Sequence, residues 1–305
     1  MKTYNLKFIT PAFLCGANQS KAELRAPSVR GALRWWFRVL GGTREDEAEV
    51  FGGVHGGAQK SKVVVRCEEE TPVHGRFESQ SPYLTFFVTH GGERNQPNAY
   101  FAAGTTFKII IDSSALVDDE IEAKFDRALK CFLLLGTLGS RATRGFGAFV
   151  TEPSLTQDEF KTQVEELTSG SDLIVRLARY NYDVKAENWA DVRRLHQQYG
   201  GSEFAYCMEN KSAKIFDSAK DAQRFLGGWL RGIRLATGCN GGSKGKKAKP
   251  SAFGYIAEGR LSSALKLRPV QVREGFLPVV IYTDKAKPKA IDSQRNDIEK
   301  YSEDL

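Results

Sequence analysis

Arg25-Ala26-Pro27-Ser28-Val29-Arg30-Gly31-Ala32-Leu33-Arg34-Trp35-Trp36-Phe37-Arg38-Val39-Leu40 reads as a turn feeding the N-terminus of a basic amphipathic helix. Pro27 suits a turn or the first helical position, because its fixed φ and missing N–H cost nothing there. Ser28 can cap or begin the helix by accepting a backbone N–H. Val29, Leu33, Trp36 and Leu40 fall at i, i+4, i+7 and i+11 and make one apolar stripe. Arg30, Arg34 and Arg38 recur every fourth residue and make a stripe of cations beside it. A helix with one buried face, a row of arginines and a free N-terminus is suited to holding phosphates. A core helix with a solvated basic face fits the same residues.

Upstream, Leu6 and Phe8 alternate with Asn5 and Lys7, as in a half-buried strand. Downstream, Gly41-Gly42 closes the helix, residues 45–51 form a short helical piece and residues 52–57 a loop. Val63-Val64-Val65, within 62–67, predicts a strand. Residues 83–89 predict another, and clean alternation over 105–111 a further one. Ile121, Phe125, Leu129 and Phe132 place a second helix over 121–135. A glycine-rich loop over 136–147 leads to a closing strand over 146–150. Strand, helix, strands, helix, strand is the βαββαβ order of a ferredoxin-like (RRM-like) domain with insertions between its central strands.

Residues 152–170 read as a polar connector with a short helix, and a second half begins near Asp172. It holds a strand over 173–177, helices over 189–199 and 219–236, and a hairpin of 263–272 with 276–283. Phe225, Trp229 and Ile233 share one face of the longer helix. Residues 284–305 are a charged tail, frayed or helical. The expected division is residues 1–151 and residues 152–305.

A chain of 305 residues with 41% hydrophobic content suits one large or two ordinary domains. A formal charge of +7 and a pI of about 9.1 favour an anionic partner, nucleic acid or an anionic membrane surface. The five cysteines, Cys15, Cys67, Cys131, Cys207 and Cys239, are odd in number and contain no CxxC. Neither a disulfide framework nor a zinc ribbon is suggested, and reduced thiols in a cytosolic protein are the plain reading. No apolar run approaches membrane-spanning length, and the first residues alternate like a strand and have no signal-peptide core. A cytoplasmic location is expected.

Gly136-Thr137-Leu138-Gly139-Ser140-Arg141-Ala142-Thr143-Arg144-Gly145-Phe146-Gly147 is the second informative stretch. Glycines such as Gly139 and Gly145 reach conformations closed to other residues and let a polymer approach the main chain. Exposed N–H groups in such a loop make a concavity for anions, and Arg141 and Arg144 add bidentate donors. An ordinary helix-to-strand turn with solvent-facing arginines is the alternative. No Gly-Lys-Ser/Thr follows, so this is not a nucleotide P-loop. Lys244, Lys246 and Lys247 belong to a low-complexity basic loop over 238–250, suited either to salt-dependent phosphate contacts or to plain solvation. Trp35 lies off the apolar stripe; it could stack on a base, but packing against the second domain is preferred. None of His55, His74, His90 and His196 has metal-ligand spacing. His55, in its glycine loop, could serve a ribonuclease as acid or base, although a mobile surface histidine is the plainer reading. Asp112 and Asp118-Asp119 make no two-metal site. No catalytic residue, metal or cofactor is assigned.

The pattern Arg-x-Pro-Ser-x-Arg-Gly-Ala-Leu-Arg-x-Trp-x-Arg over 25–38, preceded by Phe8-Ile9-Thr10-Pro11-Ala12-Phe13-Leu14-Cys15-Gly16-Ala17, resembles the N-terminal part of RAMP proteins, the RNA-binding subunits of CRISPR effector complexes. Trp35-Trp36, Glu49-Val50-Phe51-Gly52 and the loop order Gly-x-Arg-x-x-Arg-Gly-x-Gly look like the first-subunit family of the type III-B, or Cmr, effector. In RAMP proteins that loop precedes the last strand and contributes to RNA binding. Phe253-Gly254-Tyr255-Ile256-Ala257-Glu258-Gly259-Arg260-Leu261-Ser262-Ser263 fits loosely a segment of a second, divergent ferredoxin-like domain. The resemblance therefore implies an α+β protein of two ferredoxin-like domains. It further implies a non-catalytic subunit that contacts the 3′ region of CRISPR guide RNA and captured target single-stranded RNA. Other Cmr effector subunits would be partners, and a membrane would not. The expected contacts are Arg25, Ser28, Arg30, Arg34, Arg38, Gly139, Arg141, Arg144, Gly145, Lys244, Lys246 and Lys247, lining one basic cleft. The rival is a RAMP-family endoribonuclease that processes CRISPR precursor RNA with a histidine such as His55. A different RAMP backbone subunit is a third possibility.

Overall fold

Alternation of apolar and polar residues builds the first sheet of the protein. A computed structural model describes residues 1–54, 58–71, 77, 84–85, 99–152, 154–179, 203–236, 255–256, 260–261, 264–283, 296 and 298–305. Strands β1 (Lys2–Phe8), β2 (Val64–Thr71), β3 (Thr106–Asp112) and β4 (Phe149–Thr151) lie in the spatial order β2-β3-β1-β4, every pair antiparallel. Leu6, Phe8, Phe107, Ile109 and Ile111 point to one buried face, where Phe8 stacks on Phe107 at 4.4 Å between ring centres. Helix α1 (Ala26–Val39) follows β1, a short α2 (Arg44–Phe51) follows it, and α3 (Asp119–Leu135) joins β3 to β4. With α1 and α3 packed together, this is the ferredoxin-like arrangement, in which the first and third strands are central.

The helix at 25–40 starts earlier than its sequence suggests. Arg25 is the extended N-cap residue, Pro27 and Ser28 lie in the first turn, and no side chain caps the helix. Val29, Leu33 and Trp36 are buried, joined by Phe37 and Val39, and Leu40 is half-buried. The next helices are closed conventionally. Thr43 and Asp46 form a reciprocal capping box on α2, and the Asp118 carboxylate accepts from the Ile121 N–H at 3.0 Å on α3.

The second half repeats the arrangement. After a capped connector helix, α4 (Gln157–Thr168), come β5 (Leu173–Ala178), α5 (Glu203–Glu209), α6 (Ala219–Ala236), the small pair β6 (Tyr255–Ile256) and β7 (Arg260–Leu261), the hairpin β8 (Leu265–Val272) and β9 (Gly275–Thr283), and β10 (Ser302–Glu303). The four-stranded sheet has the order β10-β5-β9-β8 and is antiparallel throughout. Leu265, Leu267, Val280 and Tyr282 face Phe225, Leu226, Trp229 and Ile233 of α6. Val270, Val272, Leu277, Val279 and Ile281 turn the other way and join Phe160 of α4 in the core that also holds α1 and α3. The second sheet is therefore covered on both faces, and one cover belongs to the first unit.

Two expectations change. Leu84 and Thr85, the described part of 83–89, are helical rather than extended, and Leu84 is buried in the core around α6. A short apolar run has no period that separates a strand from a buried helical piece. The charged tail is helical at 296 and 298–300, one of the two forms expected, but it ends as a strand. Ser302 and Glu303 pair with Ala178 and Leu177 as a sheet edge, held by Arg176 to Asp304 at 2.5 Å and by the Trp229 indole N–H to the Tyr301 carbonyl at 2.6 Å. The proposed helix over 189–199 lies outside the described residues. Among the described residues, no helix is long and apolar enough to cross a membrane.

The seam between the two units carries charge. Lys266 Nζ sits 3.2 Å from the centre of the Trp35 ring and 5.6 Å from that of Trp36, so Trp35 packs against the second unit. Two residues on, Arg268 is buried, its guanidinium over the Phe149 ring and its Nη2 donating to the Phe149 carbonyl at 2.6 Å. Burial, and then the charge of Arg268, pull the Lys266 ammonium down to about 7. Lys266 in the unfolded chain titrates near its ordinary value of 10.5. Between about 7 and about 10.5 the unfolded chain thus binds a proton that the folded chain has shed, and stability rises with pH across that window. Urea midpoints measured across it are expected to climb for the parent protein and to climb less for Lys266→Met. Parallel curves for the two proteins would show that Lys266 titrates as it does in water.

Candidate nucleic-acid interface

The glycine-rich loop is built against the connection between β1 and α1. The buried Thr10 hydroxyl donates to the Gly145 carbonyl at 2.8 Å and accepts the Ala148 N–H at 2.9 Å. Gly147 N–H donates to the Pro11 carbonyl at 2.8 Å and Ser140 N–H to the Phe13 carbonyl at 2.9 Å. The loop also reaches the second unit. Leu267 N–H donates to the Thr143 carbonyl at 3.2 Å, and Arg144 forms a parallel bridge with Leu267. The turn 141–144 stands between these anchors, half-exposed, with Arg144 N–H closing onto the Arg141 carbonyl at 2.7 Å. Arg141 has φ 62°, the one non-glycine residue described with a left-handed backbone. Such strain persists only where the surroundings over-determine it.

The loop glycines serve the fold. Gly139, Gly145 and Gly147 have φ of 96°, 79° and 66°. A Cβ on Gly139 would lie 2.6 Å from the Phe13 carbonyl oxygen, and one on Gly147 would overlap the Leu138 carbonyl. At Gly145 the nearest neighbour is Pro269 of β8 at 3.2 Å. The close approach that Gly139 and Gly147 permit is to the protein's own main chain, and Arg141 and Arg144 between them are half-exposed.

The arginine row of α1 meets α2. Arg34 Nε donates to Glu47 Oε1 at 2.7 Å, and Arg38 Nη1 lies 3.6 Å from Glu47 Oε2. Glu47, on α2, is buried although its two partners are partly exposed. Arg34 and Arg38, with Arg44, Lys60 and Lys62, line an open groove of about 1110 Å³ that also holds Glu45, Asp46, Glu47 and Glu49. Lys62 is paired to Glu49 at 2.7 Å and Arg25 to Glu23 at 3.6 Å. Among the described residues, Arg30, Arg44 and Lys60 have no ion pair. The row is therefore a partly neutralised network, and its groove does not include the loop arginines. Of the expected contacts, Arg34 and Arg38 line this groove.

Ser28 lies in the uncapped first turn of α1, half-buried. Lys244, Lys246, Lys247 and all four histidines lie outside the described residues. Among the described residues, no group of three or more His, Cys, Asp or Glu is placed to hold a metal. Burial pushes Cys67 to about 11 and Cys131 to about 12, and raises Cys207 as well, which keeps these thiols protonated and unreactive. Sequence reading missed Thr10, Glu47 and Lys266. Lys266 had a signal, since a period of two puts it on the same strand face as Arg268 and Val270. Nothing in sequence spacing joins Glu47 to Arg34.

A model of the RAMP superfamily matches residues 5–150, which hold both α1 and the loop. The chain is 30% identical over 177 residues to the CRISPR system Cmr subunit Cmr1-2 of Pyrococcus furiosus, covering 48% of this chain and 91% of that protein. It is 27% identical over 143 residues to Cmr1-1 of the same organism, covering 41% of this chain and 40% of that one. Among solved structures, apo Cmr1 from Pyrococcus furiosus aligns over 98% of this chain and 95% of its own, with a TM-score of 0.52 and 18% identity. That likeness bears on the fold alone.

The two roles of glycine separate in one comparison. Gly147→Ala is expected to lower the unfolding free energy by at least about 2 kcal/mol, through a left-handed φ and a steric overlap. Gly31→Ala, exposed in α1 with nothing within 4 Å of its Cβ, should stabilise by about 0.5–1 kcal/mol. Urea unfolding of both variants reads the difference, and equal midpoints would refute the assignment of the loop glycines to the fold.

Proposed function

The chain belongs to the RAMP superfamily, and on that premise we propose that it is a non-catalytic, RNA-binding subunit of a type III-B CRISPR ribonucleoprotein effector. Its relatives in Pyrococcus furiosus are named as Cmr subunits, and an effector of that kind supplies its partners: guide RNA, target RNA and the other Cmr subunits. The protein contacts the 3′ region of the guide and the captured target through phosphates. Base pairing within the RNA carries sequence specificity.

The observation that carries this reading is the turn 141–144. Its arginines are half-exposed, one of them on a strained backbone, and the turn is locked to both units by hydrogen bonds. Rigid donors lose little freedom when they bind, which favours them as phosphate ligands. Arg30, which has no ion pair among the described residues, and the uncapped first turn of α1 add further donors. Arg34 and Arg38 contribute less, because Glu47 already holds them. The open face of the first sheet is a poor rival surface. Thr3, Asn5, Lys7, Lys108 and Ile110 occupy it on the central strands, with no aromatic side chain on which a base could stack.

Fluorescence anisotropy with unrelated single-stranded RNAs tests this reading. Arg30→Ala and Arg144→Gln should each weaken binding about equally for every sequence, and each should make the log–log salt slope shallower by about 1. Glu47→Gln, which releases Arg34 and Arg38, should tighten binding about two- to fivefold at low salt. Unchanged affinity in folded Arg30→Ala and Arg144→Gln proteins would remove both surfaces from the RNA path.

A further inference from the structure

β8 presents two cations to the seam, and no carboxylate among the described residues answers either of them. Arg268 is 2% exposed. Its Nη2 is satisfied by the Phe149 carbonyl, but Nε and Nη1 are buried and meet no hydrogen-bond acceptor among the described residues. Lys266, beside it on the strand, brings no opposite charge. A guanidinium keeps its proton inside proteins, so its charge must be met in place. A buried charge without an opposite partner is among the costliest features a fold can carry.

Arg268 also lines a cavity of about 30 Å³, walled by Leu134, Phe160, Thr151, Ser154 and Gln271. That space suits a single water or a monoatomic ion and is too small for sulfate or phosphate. The hydroxyls and amide are donors of the kind an anion takes. Leu134 and Phe160 disfavour a strongly hydrated ligand such as fluoride.

We propose that Arg268 and this cavity form a binding site for one small monovalent anion of chloride size, which neutralises the seam and ties β8 of the second unit to β4 of the first. The site is independent of the RNA-binding reading. It makes docking of the two units a function of halide concentration.

The test uses the full chain at fixed ionic strength, with sodium gluconate exchanged stepwise for sodium chloride, bromide or sulfate. Tm should rise saturably with chloride and bromide, by about 2–4 °C, and stay level with sulfate. Arg268→Met should abolish the halide response. Should that variant fail to fold, crystals of the parent protein grown in bromide decide the matter. An anomalous peak beside Nε and Nη1 of Arg268 supports the site. Its absence, with a water in the cavity, overturns it, as would a Tm indifferent to the anion.

Discussion

One buried hydroxyl organises the molecule. Thr10 lies just past β1, and its hydroxyl donates a hydrogen bond to the Gly145 carbonyl and accepts one from the Ala148 N–H, more than 130 residues away. Those bonds set where the glycine-rich loop stops and β4 begins. The loop in turn receives the Leu267 N–H, so the position of β8 in the second unit follows from the same point. A buried group left without its partner costs about 1–3 kcal/mol. Thr10 satisfies two such groups, and all its neighbours here are short loop residues with little core of their own. The hydroxyl fixes a frame on which the arginines of the turn depend.

Rigidity of that frame bears on binding. The turn 141–144 is tied to β8 through Thr143 and Arg144, and its flanking residues Ser140, Gly145 and Gly147 are tied to the connection between β1 and α1. Ordering a flexible loop around a polymer would cost about 1–2 kcal/mol per residue; here the fold has met that cost beforehand. The α1 groove works differently. Its cations are set among their own carboxylates, so an anion entering there must compete with Glu47 and Glu49. The two surfaces therefore differ in kind, one preorganised and the other adjustable.

Much of this was legible in the sequence, for definable reasons. The stripe Val29, Leu33, Trp36 and the alternation of β1 and β3 are period signals, and residues of that kind went where the period sent them. The hairpin of β8 and β9 and the long helix α6 were legible in the same way. Partner choice was not. Arg30, Arg34 and Arg38 read alike along the helix, yet Glu47 singles out two of them through a tertiary contact. The stretch containing Leu84 misled because it is short, and the strand at Ser302–Glu303 because two residues carry no period at all. The glycines of the loop were visible, but the reason for them was not, since a demand from the protein's own carbonyls and a demand from a ligand leave the same letter.

That ambiguity has an evolutionary side. Gly139 and Gly147 answer to Phe13 and Leu138, so any descendant that keeps this loop against this connection must keep them, whatever it binds. At Arg141 and Arg144 the frame holds the backbone, through the left-handed turn and the bridge to Leu267. Lineages that keep that backbone could exchange the side chains. The motif is thus two inheritances written over one another, a slow one that records ancestry of the fold and a fast one free to follow the ligand.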